Sequence, residues 1–234
     1  MPARIKKGVF FDAGDTLFEV RGGVGLVYSR FAEKYGVKAD AADLEKAFRE
    51  AFKKSPPLAF PGAERSQIPS LERAWWYNLV RSVFGETSFP GFDDFFNDVY
   101  LFFGEGEAWA LFPETREVLE RLQKEEYHVG IISNFDSRIE AICQALDIRK
   151  FVATITHSSR YGVAKPSPEI FRQALAEAGL TPSDSLYIGD SPRHDIEGAR
   201  LIGMAPLLVD RTGRYLREAH LPRIADLRAV FNYL

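Results

Sequence analysis

Short apolar runs that end abruptly on polar residues are the feature of this chain that most restricts its fold. Residues 5–11, IKKGVFF, form the first run and meet Asp12-Ala-Gly-Asp15-Thr16 at once. From about residue 109 a rhythm sets in. Helical spacing over 114–125 precedes an apolar run at 127–132, and 137–146 precedes 151–156. The pattern repeats with 168–178 before 185–188 and 195–202 before 205–209. Such alternation predicts short buried strands joined by crossover helices. Right-handed crossovers put those strands in one parallel sheet covered on both faces, a doubly wound α/β core.

The stretch between the first strand and this rhythm reads differently. Residues 24–35, 41–54, 67–84 and 91–103 space their apolar side chains by three and four, as in Leu44, Phe48, Ala51 and Phe52, and predict helices. Residues 55–69, SPPLAFPGAERSQIP, hold four prolines and a glycine and predict a loop. We therefore expect a core of residues 1–17 and 109–234, interrupted by an inserted all-α subdomain at 18–108. An insertion at that point is placed to cover the carboxyl ends of the strands.

Composition narrows the partners. A chain of 234 residues can bury a full core and carry an insertion. Its net charge of −3 argues against nucleic acid or an anionic membrane as the main partner. No stretch reaches the length of about 18 apolar residues needed to span a bilayer. The apolar run GVFF is too short for a secretory signal, so the expected location is cytoplasmic. A single cysteine, Cys143, excludes an intrachain disulfide and a cysteine zinc cluster, and reads as a buried helix residue. Nothing in the pattern sets an oligomeric state.

In an open parallel sheet, ligands bind beyond the carboxyl ends of the strands. Those ends deliver Asp12 with Gly14, Asp15 and Thr16; Ser133, Asn134 and Asp136; Lys165 in GVAKPSP; and Asp190 with His194 and Asp195. Each has an ordinary alternative. Asp12 can cap a turn, Ser133-Asn134 can start a helix, Lys165 can sit in a surface turn, and Asp190 and Asp195 can cap a loop and a helix. Four such groups at one edge point instead to phosphoryl transfer. A carboxylate can attack phosphorus and split one hard step into two. Its charge repels an anionic substrate, so a cation such as Mg²⁺ on the carboxylates must lie between them. A hydroxyl, backbone N–H groups and an ammonium then supply donors for the phosphoryl oxygens.

Taken together, VFFDAGDT, GIISN, GVAKPSPEIF and IGDSPRHD resemble the four motifs of the haloacid dehalogenase-like hydrolases: an aspartate after the first strand, Ser/Thr-Asn after the second, a lysine before a proline, and GDxxxxD. The resemblance covers residues 5–17 and 109–209 and implies that family's Rossmann-like core. The insertion is similar to the family's helical cap, and residues 20–28 resemble a branch with a modified first motif. Carried over, the resemblance makes Asp12 the nucleophile and a metal ligand and Ser133 the phosphoryl-binding hydroxyl, aided by the Asn134 backbone. Lys165 would steady the nucleophile and the transferring group. Gly14 would offer its carbonyl to Mg²⁺, Asp190 would ligate it, and Asp195 would support it directly or from behind.

One departure bears on activity. Phosphatases of the family carry a second aspartate two residues after the nucleophile, where this chain has Gly14. That acid protonates the leaving group, which typically contributes about 10²–10⁴-fold. Asp15, one place later, reads as a turn residue that substitutes only if the turn is reshaped. The leading expectation is a Mg²⁺-dependent phosphatase for a small phosphorylated metabolite, slow or restricted to good leaving groups. The alternative is a catalytically impaired protein that binds a phospho-ligand or a protein partner. Hydrolytic dehalogenation is less favoured, because the resembling dehalogenases replace the first acid of the fourth motif while this chain keeps Asp190. Phosphonate cleavage would need a buried cap lysine, and nothing marks Lys34, Lys38, Lys46, Lys53 or Lys54 as one. From the insertion, Arg21, Tyr28, Trp75, Trp76 and Tyr77 are candidates to reach the cleft; Arg21 reads equally as closing over an anion or as solvated at the surface, and for the aromatics a place in the helical core is the simpler reading. Thr16 and Asp136 are expected to position neighbours, and His194 to face solvent.

Overall fold

A computed structural model describes residues 7–85, 87, 89–218 and 220–234. In chain order it contains β1 (Gly8–Phe11), β2 (Phe18–Val20), α1 (Val24–Lys34), α2 (Ala41–Lys54), α3 (Ile68–Phe84), α4 (Phe92–Phe102) and β3 (Trp109–Leu111). Then follow α5 (Thr115–Lys124), β4 (His128–Ser133), α6 (Ile139–Ala145), β5 (Thr154–His157), α7 (Ser158–Tyr161) and α8 (Pro168–Ala178). The chain continues with β6 (Ser185–Gly189), α9 (Gly198–Leu201), β7 (Ala205–Val209) and β8 (Arg223–Ile224). Residues 5 and 6 of the expected first strand lie outside the described residues.

Six strands form one parallel sheet in the order β5-β4-β1-β6-β7-β8. The chain winds outward from β1 to β5, returns, and winds the other way from β6. The reversal therefore falls at β1, where ligands gather in such sheets. Side-chain alternation sends Val9 and Phe11 to one face with Ile131, Ile188 and Leu207. Phe10 goes to the other with Ile132, Tyr187 and, from α8, Ile170 and Phe171. Both faces are covered, so GVFF is buried at all four positions, which is why the run is continuously apolar rather than alternating. Each buried phenylalanine stabilises by roughly 1.5–3 kcal/mol.

The four expected helices of the insertion form, within one or two residues of the expected bounds. Asp40 caps α2, accepting from the N–H groups of Ala42 and Asp43. Aromatic side chains fill the space between helices. Phe89 and Phe95 have ring centroids 4.6 Å apart, and Tyr28 is buried against Phe48, Phe84 and Phe103. Tyr28 thus belongs to the helical core. Entry to and exit from the insertion pair as an antiparallel ribbon, Phe18 opposite Leu111 and Val20 opposite Trp109, which the sequence pattern did not predict.

Two boundaries moved. The expected strand at 151–156 begins later, at Thr154, because β4 sets its register with Gly130 opposite Thr154. Residues Arg149–Phe151 instead take a 3₁₀ turn that folds Phe151 into the core. The expected helix at 195–202 begins earlier, as a π-helical turn Pro192–Glu197 that runs into α9. Cys143 lies buried on α6, where desolvation pushes its thiol up to about 12 and leaves it unreactive. No described helix is long and apolar enough to cross a membrane.

Candidate active site

Parallel pairing with β4 and β6 aligns three strand ends, so Asp12, Ser133 and Asp190 emerge at the same edge of the sheet. Lys165 reaches that edge from the loop between α7 and α8. Lys165 is 4% exposed, and its ammonium touches three oxygens: Asp12 Oδ1 at 2.8 Å, Asp195 Oδ1 at 2.6 Å and Tyr187 Oη at 2.8 Å. All three ammonium protons thus have acceptors. Burial disfavours the charge, but Asp12 and Asp195 outweigh it and raise the Lys165 pKa.

The loop that carries Lys165 is clamped by Asn134. The Asn134 amide donates to the Lys165 carbonyl at 3.0 Å, and its carbonyl accepts from the Lys165 N–H at 2.7 Å. The side chain of Asn134 therefore positions the lysine, a role beyond the backbone contribution expected of it. Ser133 ends β4, is 3% exposed, and its hydroxyl makes no hydrogen bond among the described residues.

Asp12 Oδ1 accepts from Lys165 and from the Ala13 N–H at 2.8 Å, which turns its second oxygen toward the edge of the sheet free of these donors. Asp195 is fully buried. Its Oδ1 faces Lys165 and Tyr187, and its Oδ2 accepts from the Ser191 N–H at 2.9 Å. The carboxylate is seated against Gly189, where an added Cβ would lie 2.3 Å from Asp195 Cγ. Only glycine admits this approach. The π-helical turn is what aims Asp195 back at the sheet, a recurrent use of that geometry at functional positions.

Carboxylate oxygens of Asp12, Asp190 and Asp195 all come within 4.8 Å of one another. Three carboxylates face one ammonium, so negative charge is left over. Asp190 registers the excess: burial first, then the charges of Asp12 and Asp195, push its carboxyl up to about 8. Hard oxygen donors with surplus negative charge fit a divalent cation such as Mg²⁺. With both oxygens of Asp195 engaged, by Lys165 and by the Ser191 N–H, Asp12 and Asp190 are the better placed of the three to ligate it.

The remaining candidates separate. Gly14 lies in the turn after β1, pairing with Phe18. Asp15 takes a left-handed φ of 57°, donates its N–H to Phe18 and is exposed, as a turn residue would be. Thr16 is buried, and its Oγ1 has no partner among the described residues. Arg21 does not join the cluster: its guanidinium donates to the carbonyls of Glu107 at 3.3 Å and Trp109 at 3.0 Å, bracing the β2–β3 ribbon. The flanking Gly22 and Gly23 take positive φ to start α1, which directs Arg21 across the ribbon rather than over the cleft. Asp136 is buried and grips Arg138 and the Trp76 indole. Trp75 and Tyr77 bond within the insertion, to the Pro56 carbonyl and to Asp93. His194 is exposed. Tyr187 is the member that sequence reasoning missed. A polar-tipped aromatic in a fully buried strand needs a partner, and that was its signal; here its hydroxyl donates to the Ile132 carbonyl at 2.8 Å.

Comparisons with known proteins agree with this geometry. A family model described as haloacid dehalogenase-like hydrolase matches residues 6–203. The chain is 33% identical over 206 residues to haloacid dehalogenase-like hydrolase domain-containing protein 3 of Danio rerio, covering 87% of this chain and 84% of that protein. Among solved structures it resembles a HAD phosphatase from Thermococcus onnurineus, with TM-score 0.68, 18% identity and 97% of each chain covered. It is equally similar to a 2-haloacid dehalogenase from Pseudomonas syringae pv. Tomato DC3000, with TM-score 0.67, 20% identity and 97% of each chain covered. A phosphatase and a dehalogenase thus share this fold, and the fold leaves the choice of chemistry to the site.

Proposed function

This chain belongs to the haloacid dehalogenase-like hydrolases, and from that premise we propose that it is a Mg²⁺-dependent phosphatase of a small phosphorylated metabolite, working through an aspartyl-phosphate at Asp12. The observation that carries the reading is the retained carboxyl of Asp190 beside Asp12, with Asp195 completing a cluster within 4.8 Å. Attack on a carbon that bears a halide needs no cation, and an extra carboxylate there would repel a carboxylate substrate. Attack on phosphorus needs that excess charge neutralised.

The residues divide the work. Lys165 holds Asp12 Oδ1, which leaves the second oxygen to form the bond to phosphorus. The Ser133 hydroxyl and the N–H groups after β4 bind the phosphoryl oxygens. Asp195 and Tyr187 hold the lysine, and Asn134 holds the loop that carries it. Asp12, Asp190 and the Gly14 carbonyl would hold Mg²⁺, with Asp195 in support; bound there, the ion would offset the charge of substrate and nucleophile. As the P–O bond breaks, the leaving oxygen takes the electron pair, and Gly14 offers it no proton. Acyl and aryl phosphates, which leave without one, are therefore the favoured substrates. The helical insertion acts as a cap that selects among them, and the site of action in this reading is cytoplasmic.

Gly14 also supports a second reading, an impaired enzyme that retains phospho-ligand binding. Turnover separates the two. Hydrolysis of p-nitrophenyl phosphate should require Mg²⁺ and vanish in Asp12→Asn. Measurable Mg²⁺ binding without turnover on a broad phosphate panel would favour the second reading, and metal-independent halide release from 2-haloacids would overturn both.

A further inference from the structure

Helix α3 of the insertion sends two side chains into the core from one face. Glu72 and Trp76 are four residues apart, one helical turn, and so project together. Glu72 is 2% exposed, yet among the described residues no cation pairs with its carboxylate. Its partners are neutral donors from the core: the Ser137 N–H at 2.9 Å to Oε1, the Ser137 hydroxyl to Oε2, and the Ser159 hydroxyl at 2.5 Å to Oε1. Ser159 has one proton to give, so its oxygen accepts from His157 Nδ1 at 2.9 Å. One turn on, the Trp76 indole donates to Asp136 Oδ2 at 2.5 Å. Asp136 is fully buried and shared with Arg138, which reaches the Tyr100 carbonyl on α4. The Ser158 hydroxyl holds the Leu58 carbonyl in the loop before α3.

These contacts converge on residues 133–137, the segment that begins with the phosphoryl-binding Ser133 and Asn134. Asp136 and Ser137 are its far end, and both are held from the insertion. A buried carboxylate with three donors is costly to expose and costly to replace, because each donor would be left without an acceptor. We propose that Glu72 is a positioning residue that couples docking of the helical insertion to the geometry of the Ser133–Asn134 loop, so that the phosphoryl-binding donors are in place only when the insertion is seated. The inference rests on the phosphoryl-binding role proposed for Ser133.

The test uses the full chain and two variants, Glu72→Gln and Ser137→Ala. Glutamine keeps the size but turns one acceptor oxygen into a donor facing donors. Two readouts are taken: backbone hydrogen exchange by peptide, and Mg²⁺-supported hydrolysis of p-nitrophenyl phosphate. In Glu72→Gln, exchange over residues 133–138 should rise by about tenfold or more while α8 and β6 stay protected, as expected of a local opening. A loop misplaced by a fraction of an ångström should lower kcat by about tenfold with KM within about twofold. Ser137→Ala should move both readouts in the same direction by less, and it decides the matter if Glu72→Gln does not fold. Unchanged exchange at 133–138 in the folded variants overturns the proposal, and so does faster exchange spread evenly over the insertion and core. Faster loop exchange with unchanged turnover overturns the positioning role. A parent protein that hydrolyses no phosphate ester would sink the phosphatase reading, and the exchange measurement would still decide the coupling.

Discussion

Asp12 is the residue on which the proposed chemistry turns, and its neighbours hold it in place. Lys165 lies between Asp12 and Asp195 with every proton bonded. Gly14 shows what is missing. An added Cβ there meets no atom within 4 Å, and the backbone is outside the left-handed region, so an aspartate fits without strain. Gly14→Asp should therefore accelerate hydrolysis of alkyl phosphates, by up to the roughly 10²–10⁴-fold that a general acid supplies. Steady-state rates on an alkyl and an aryl phosphate measure this. A folded variant no faster on the alkyl ester would show that proton supply does not limit the reaction. The motif spacing had already brought Asp12, Ser133 and Asp190 to strand ends and Lys165 to the loop that follows the next strand. Arg21 stayed open between an anion and the surface, because a guanidinium beside two glycines looks the same in sequence whether it meets a ligand or a carbonyl.

At the scale of elements, the loop after β1 is pinned from behind by a segment far along the chain. Arg211, just past β7, donates to Glu114 Oε1 at 2.5 Å and to the Thr16 carbonyl at 2.9 Å, and its guanidinium lies 3.7 Å from the Phe112 ring centroid. Glu114 is 2% exposed; burial raises its pKa, but Arg211 and backbone donors outweigh this and hold the carboxyl below its usual range. A depressed carboxyl pKa stabilises the fold above the unfolded value of about 4.3 and loses that contribution as pH falls through the folded value. Arg211→Ala breaks a largely buried pair and should cost about 3–5 kcal/mol at neutral pH. Urea unfolding should show the deficit shrinking between about pH 5 and pH 3, as Glu114 protonates in both states. A deficit that does not depend on pH would mean that packing on Phe112 carries the effect. Helices of the insertion were readable from period alone, since each is long and amphipathic. The β2–β3 ribbon was not, because three-residue strands carry too little pattern, and neither was the π-helical turn, which shares its apolar spacing with an α-helix.

At the scale of the whole molecule, the proposed cation site ties stability to ionisation. Asp190 is pushed up to about 8, so without a cation it holds a proton at neutral pH that the unfolded chain releases near 3.9. A raised acid pKa means the folded state binds more protons, and stability contributed by this group falls as pH rises from about 4 to 8. A divalent ion among Asp12, Asp190 and Asp195 reverses that loss by favouring the ionised form. Mg²⁺ should therefore raise the melting temperature more at pH 8.5 than at pH 6, and chelation should remove the difference. Equal shifts at both pH values would place the ion elsewhere.

Taken as a line of residues, the chain already determined its class. Apolar runs too short for anything but strands, alternating with helical spacing, admit a doubly wound parallel sheet, and the polar residues at their ends locate the site by topology alone. Both are properties of local order, which spacing records. Folding in three dimensions decided the rest: that Arg21 braces a ribbon, that Tyr187 and Asp195 hold Lys165, and that Glu72 and Trp76 reach residues 65 and 60 positions away. A buried polar group takes whichever partner the packed chain brings within 3 Å, and no spacing along the sequence records that distance.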